Sequence, residues 1–188
     1  MKKVLIAILS TLWFPIMIMA VEERPYQSIK KDGNIEIREY TQIMSADVIT
    51  SGPRDEAASD AFRILVQFIG GKNQGQEKIA MTAPVSQTQT ADRQWRVSFY
   101  LPANMNAANT PAPNDSRISL TEHQNITVAA IRFSGLSRAK NLSKHETILR
   151  AYLNQKQIQF KEPPIYAFYN PPITPWFLRR NEIIFNLK

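Results

Sequence analysis

Two fifteen-residue stretches, "REYTQIMSADVITSG" (Arg38–Gly52) and "TEHQNITVAAIRFSG" (Thr121–Gly135), decide the fold. Set one above the other at a constant offset of 83, they share Glu39/Glu122, Ile43/Ile126, Ala46/Ala129, Ser51/Ser134 and Gly52/Gly135. Around the first of them the side chains alternate. "NIEIREY" puts Ile35 and Ile37 on one face and Glu36 and Arg38 on the other, the period of a half-buried strand, and "MSADVIT" follows as a second strand. A helix is expected after each Ser-Gly. The first starts with Pro53 at its first position and Asp55 and Glu56 beside its positive end, and it runs to about Ile69, where Gly70-Gly71 stop it. The second spans about Lys144 to Gln155, with Ser143 and Glu146 at capping-box spacing.

Two more strands follow each helix. "EKIAMTAPVSQ" is followed by "QWRVSFYLP", in which Trp95, Val97, Phe99 and Leu101 share a face. "PIYAFYNPPITP" and "RRNEIIFNL" stand in the corresponding places, which matches Pro172 to Pro84, Ile173 to Val85 and Phe185 to Phe99. The chain therefore reads as two strand-strand-helix-strand-strand pseudo-repeats, about 34–102 and 117–188, joined by the loop-like "ANMNAANTPAPNDS". Neither half has the apolar area to stand alone, so one domain (21–188) with a shared antiparallel sheet or closed barrel is expected.

The composition is that of an ordinary globular chain: 188 residues, 44% hydrophobic and 21% charged. Net charge is +7; without Lys2 and Lys3, 21 basic side chains remain against 16 acidic ones, a net +5. The basic residues are dispersed rather than gathered in runs, which argues against a nucleic-acid partner. Lys2-Lys3, the apolar run Val4–Ala20 and the charged "VEERPYQ" have the order of a secretory signal (1–20) cut after Ala20, which implies an exported, periplasmic protein. Pro15 interrupts the run and Ile18 is bulky for a cleavage site, so a retained N-terminal membrane anchor stands as the alternative. With no cysteine, disulfides, thiolate metal sites and cysteine nucleophiles are all excluded.

"REY" (Arg38–Tyr40), "GGKNQ" with "KIAMTAPV" (Gly70–Val85), "PAPNDSRISLTEHQNITVAAIRFSG" (Pro111–Gly135) and "YNPPITPWFLRRNEI" (Tyr169–Ile183) resemble the SOUL haem-binding protein family. The resemblance runs from about Tyr26 to Lys188. It implies an α+β fold, a distorted eight-stranded antiparallel β-barrel flanked by two α-helices. It also implies a non-catalytic protein binding haem or a related tetrapyrrole. A module for another flat apolar small molecule, or an envelope interaction protein, is the alternative. In the family the pocket lies between the first helix and the loop before the last strand, which here pairs Phe62, Arg63, Val66 and Ile69 with Pro172, Ile173 and Trp176.

The residues bear on this expectation unevenly. The apolar side chains of the first helix cover an arc of roughly 200°, wider than one sheet contact needs. Ala61, Leu65 and Phe68 would face the core and Phe62, Val66 and Ile69 a ligand; a covering loop or partner would explain the excess equally well. Cations for the propionates are sparse, since Ser59, Gln67 and Thr174 occupy positions that could carry one and leave Arg63. The candidates for an axial iron ligand are His123, His145 and Met81, with Tyr166 and Tyr169 behind them. Met81 reads more readily as a core residue and His145 as a surface one. "GGKNQG" lacks the spacing of a phosphate loop, and no nucleophile elbow, zinc pair or calcium loop is present. Arg179 and Arg180 begin the last strand, one facing each side, with Glu39 or Glu122 as ion-pair partners if neither faces a ligand.

Overall fold

The structure, a computed structural model, describes residues 21–188; the expected signal segment lies outside the described residues. The strands are β1 (Glu22–Glu23), β2 (Gln27–Asp32), β3 (Ile35–Thr50), β4 (Thr82–Ala83), β5 (Val85–Gln89), β6 (Trp95–Tyr100), β7 (Ile118–Phe133), β8 (Ile165–Phe168) and β9 (Asn181–Asn186). The helices are α1 (Arg54–Ile69) and α2 (Ala139–Gln155). "NIEIREY" and "MSADVIT" form one continuous strand, β3. It lies antiparallel to β7 from Ile35 opposite Ile131 to Val48 opposite Ile118. Six strands close in the order β3-β6-β5-β8-β9-β7 and back to β3, and β2 flanks β3 outside the ring. The expected antiparallel barrel with two helices is therefore present, with two long strands each standing for two of the shorter ones.

The long strands turn over partway along. Ile35 and Ile37 pack toward α2, whereas Met44, Ala46 and Val48 pack toward α1. Tyr40 and Ile43 both reach the barrel interior, so the inward face changes between them. The β3–β7 register has a break there, at Thr41 and Asn125, and Asn125 has φ 51°, a left-handed conformation that asparagine tolerates. Each helix thus covers one half of the sheet, and the interior between them belongs to neither helix.

Helix α1 lays Ala57, Ala61, Leu65 and Phe68 against β3 and β6; their spacing forms one helical stripe. Full burial of Leu65 and Phe68 is worth about 1.5–3 kcal/mol each. Beyond α1, Gly71 adopts φ 108°, and the Asn73 side chain ties the turn by bonding to the carbonyls of Phe68 (3.0 Å) and Glu77 (2.8 Å) and the amide of Glu77 (3.1 Å). "GGKNQG" is thus a helix stop and turn.

Two details differ from the sequence expectation. Helix α2 begins at Ala139, a turn earlier than the Ser143/Glu146 spacing implies. Leu142 is buried against β7 and β9, and burying it draws the preceding turn into the helix. Glu146 bonds to Arg150 and Tyr166 rather than to a cap. The counterpart of Pro84 is Pro163, not Pro172. Phe99 lies opposite Ala46 and Phe185 opposite Ala129, so β6 and β9 correspond, and the register of β5 and β8 against them places Pro84 and Pro163 alike. Both follow a cis peptide bond. Pro172 lies instead in a longer loop between β8 and β9, where a gapless alignment cannot register it.

Candidate functional site

The segment between β8 and β9 is pinned at its base and open at its tip. Arg179 folds back on it, donating from Nε to the Thr174 carbonyl at 2.8 Å and from Nη2 to the Pro172 carbonyl. The Trp176 carbonyl accepts from the Gly135 amide at 3.0 Å, and Asn181 donates to the Gly135 carbonyl at 2.9 Å. Gly135 is required here. Its φ is 108°, and a Cβ would come within 2.8 Å of Asn141 Nδ2. Above this base Ile173 is 89% exposed, Leu178 65%, Trp176 59% and Phe177 58%. Four neighbouring large apolar side chains left in water form a patch of the kind that marks a binding surface.

Trp176 forms one wall of an open cleft of about 560 Å³ whose other walls include Leu136, Arg138, Lys140 and Lys144. That volume falls in the usual range for small-molecule sites, about 300–1,000 Å³. An apolar aromatic wall facing three cations suits a flat apolar ligand carrying acidic groups. The cations come from the start of α2, which the expected helix boundary obscured. No signal short of the β8–β9 loop's contact with Gly135 joins them to Trp176.

The expected site residues are distributed as follows. Phe62 and Val66 lie on the outer side of α1, 38% and 39% exposed, with Phe62 packed edge-on to Phe99 at 5.1 Å. Arg63 is exposed and ion-paired with Asp60. Ile69 is buried in the α1 core, so it does not face outward with them. Pro172 and Ile173 are exposed on the loop. The cleft beside Trp176 is lined by Ser134–Lys144 residues rather than by α1. Met81 is exposed in the connection before β4, not a core residue.

His145 is half-buried and stacked on Phe133 at 3.9 Å. Its Nδ1 donates to the Asn141 carbonyl at 2.8 Å, which leaves Nε2 as the lone-pair nitrogen of the neutral ring. Asn141 and Lys144 line the cleft; His145 lies beside them. Tyr166 donates to Glu146 at 3.0 Å and Tyr169 to Glu182 at 2.8 Å. Among the described residues no group of three or more His, Asp or Glu side chains is disposed to hold a metal.

A separate concavity is the barrel interior. It is a cavity of about 90 Å³ lined by Tyr40, Tyr100, Tyr169, His123 and Arg24 together with aliphatic side chains. Burial lowers the His123 pKa, an effect that the negative charge of Asp47 partly offsets. Burial also pushes Tyr40 up to about 12. At the rim lies a buried ion cluster. Arg38 donates to both oxygens of Glu182, at 2.7 and 3.0 Å, and Arg180 donates to Oε1 at 2.9 and 3.1 Å. Burial alone would raise the Glu182 carboxyl, but Arg38 first, then Arg180 and Tyr169, hold it below its ordinary value. Arg180 pairs with Glu23 at 2.7 Å, not with Glu39 or Glu122, and so ties the N-terminal strand to the barrel.

A profile of the SOUL heme-binding protein family matches residues 21–186. Heme-binding protein 1 of Mus musculus is 30% identical over 176 residues, covering 87% of this chain and 92% of the relative. Heme-binding protein 2 of Homo sapiens is 27% identical over 173 residues, covering 84% of each. Among solved structures, a protein described as a hydrolase from Listeria innocua superposes with a TM-score of 0.59 at 10% identity, covering 82% of this chain and 92% of that one. The EcmrR C-terminal domain superposes with a TM-score of 0.58 at 14% identity, covering 87% and 98%. Those two likenesses concern the fold alone. The sequence matches span nearly the whole described barrel and both helices, and on that ground the chain belongs to the SOUL heme-binding protein family.

Proposed function

We propose that the protein binds haem or a related tetrapyrrole non-covalently and without catalysis, in the open cleft between the β8–β9 loop and the start of α2. One observation carries this reading: the exposed Trp176 ring faces Arg138, Lys140 and Lys144 across a cleft of about 560 Å³. Trp176 and Leu136 would contact the macrocycle, and the three cations would hold its propionates by charge-assisted bonds. The barrel cavity, at about 90 Å³, is too small for such a ligand. The names of the relatives support the ligand class. Haem would supply a redox-active iron; His145, whose Nδ1 bonds to the Asn141 carbonyl, is the side chain whose chemistry suits an axial ligand through its other ring nitrogen.

A second reading places the ligand on α1, favoured by the outward, half-exposed Phe62 and Val66. Titration of the purified protein with hemin, followed by the Soret band, separates the two. The cleft reading expects Trp176→Ala to weaken binding at least tenfold and Phe62→Asp to leave it unchanged. The reverse pattern would move the site to α1, and no saturable Soret shift at all would remove the function.

The same reading takes the protein as exported, on the order Lys2-Lys3, apolar Val4–Ala20 and charged start. A mature chain beginning at Val21 is the expected result of N-terminal sequencing; a retained Met1 would favour the anchored form.

A further inference from the structure

The barrel cavity has a chemistry of its own, separate from the cleft. Its walls are mostly apolar, with Ile43, Ile126, Val128, Ile165 and Ile184 among them. One cationic side chain, Arg24, lines it. Arg24 arrives from the segment just after β1, which pairs with β4 and carries the Glu23–Arg180 ion pair. Its guanidinium lies 4.3 Å from the Tyr100 ring centroid and 5.7 Å from that of Tyr40.

Among the described residues, Arg24 Nη1 is buried and has no hydrogen-bond partner. A buried charged donor without an acceptor is costly, and native structures supply one. Glu182 is committed to Arg38 and Arg180, Glu23 to Arg180, and Glu36 to Arg38 and Ser28. Asp47 bonds Thr121 through Oδ2 at 2.7 Å; its Oδ1 is also buried without a partner, but Asp47 is not part of the cavity wall and is not among the groups whose charge acts on Arg24. Burial lowers the pKa of Arg24, opposed by the fields of Tyr100, Tyr40 and Tyr169, in line with a guanidinium that lacks a counter-charge.

We infer that the barrel interior is a second ligand site, which takes a small aliphatic carboxylate with its acid group on Arg24 and its tail among the isoleucines. The acid supplies the acceptor that Nη1 lacks, and the tyrosine rings flank the charge pair. Size sets the class. At a liquid share of about 30 Å³ per water, a cavity of about 90 Å³ has room for roughly three waters, which limits the ligand to a short acid on the scale of butyrate and excludes a long-chain fatty acid.

Sodium butyrate is the probe, n-butanol its uncharged counterpart, and amide shifts in ¹H–¹⁵N spectra of the intact protein are the readout. Saturable shifts confined to Tyr40, Tyr100, His123 and their neighbours are expected, with n-butanol and octanoate each at least tenfold weaker. Arg24→Gln should lower butyrate affinity at least tenfold and Arg24→Lys by less. Val128→Phe, which fills the cavity from β7 without touching Arg24, should abolish the shifts. All three variants should retain the hemin titration of the parent, which separates this site from the cleft. Absence of saturable shifts, equal binding of n-butanol, or unchanged affinity in Arg24→Gln would overturn the inference.

Discussion

Replacing Glu182 by leucine should be among the most damaging single changes in the barrel. Glu182 is fully buried and Arg38 nearly so, and they meet in a two-bonded fork at 2.7 and 3.0 Å. Removing the acid takes the acceptor from both terminal nitrogens of the buried Arg38, which keeps only Glu36 on Nε at 2.8 Å, whereas Arg180 keeps Glu23. Breaking a buried pair on one side costs about 3–5 kcal/mol. At about 2–4 °C per kcal/mol for a chain of this size, the melting temperature should fall by roughly 6–20 °C. Removing both charges is a different perturbation, because a well-packed apolar pair avoids the desolvation that the ions suffer.

Arg38→Leu/Glu182→Leu should therefore be more stable than Glu182→Leu alone by at least about 2 kcal/mol, even though Tyr169 loses its acceptor. Urea unfolding at pH 7 measures Glu182→Leu, Arg38→Leu and the double variant against the parent. The folded state lowers the Glu182 pKa from 4.5, so the benefit of the carboxylate is complete above that pH. It is lost as pH falls through the lowered folded value, and parent and single variant should converge in acid. Additive losses in the double variant, within about 0.5 kcal/mol, would refute the reasoning.

Three further outcomes are expected. Leu65→Ala, at a fully buried position on α1, should cost about 2–5 kcal/mol in urea unfolding. Asn73→Ala removes three bonds that tie the turn after α1, and each group left unsatisfied costs about 1–3 kcal/mol, so hydrogen exchange should accelerate at Phe68 to Glu77. The fold lowers the His123 pKa from 6.5, so this residue's contribution is intact above 6.5 and declines as pH falls below it. His123→Gln should flatten that part of the stability curve, and an unchanged slope would count against burial as its cause.

How far the sequence discloses this molecule depends on the distance over which each feature is encoded. The alternation of "NIEIREY", the apolar stripe of α1 and the stop at Gly70-Gly71 are local, and they read directly. The shared pattern at offset 83 disclosed two equivalent halves in one sheet, but not that β3 pairs with β7 along their length, which is a long-range feature of the closed barrel. The Arg38–Glu182 fork joins residues 144 apart and has no local signature, because only barrel closure brings β3 and β9 to one rim. The same holds for Arg24, whose place among the tyrosines depends on β1 reaching β4. At the cleft, Trp176 was visible as an anchor, but its cationic partners were hidden. An i, i+3 Ser–Glu spacing suggested a cap, while burial of Leu142 set the actual start of α2. Ile69 completed an apolar arc on paper and packs inward in the fold, because the segment after the helix returns and brings Ile79 against it, the Ile79 amide donating to the Ile69 carbonyl at 2.8 Å.

The cationic rim is the central claim, and the most direct measurement compares protoporphyrin IX with its dimethyl ester, which lacks the propionate charges. The account predicts saturable quenching of tryptophan fluorescence by the diacid, at least tenfold weaker binding of the ester, and loss of that preference in Arg138→Glu/Lys144→Glu. Equal binding of acid and ester, or a preference untouched by the double charge reversal, would contradict it.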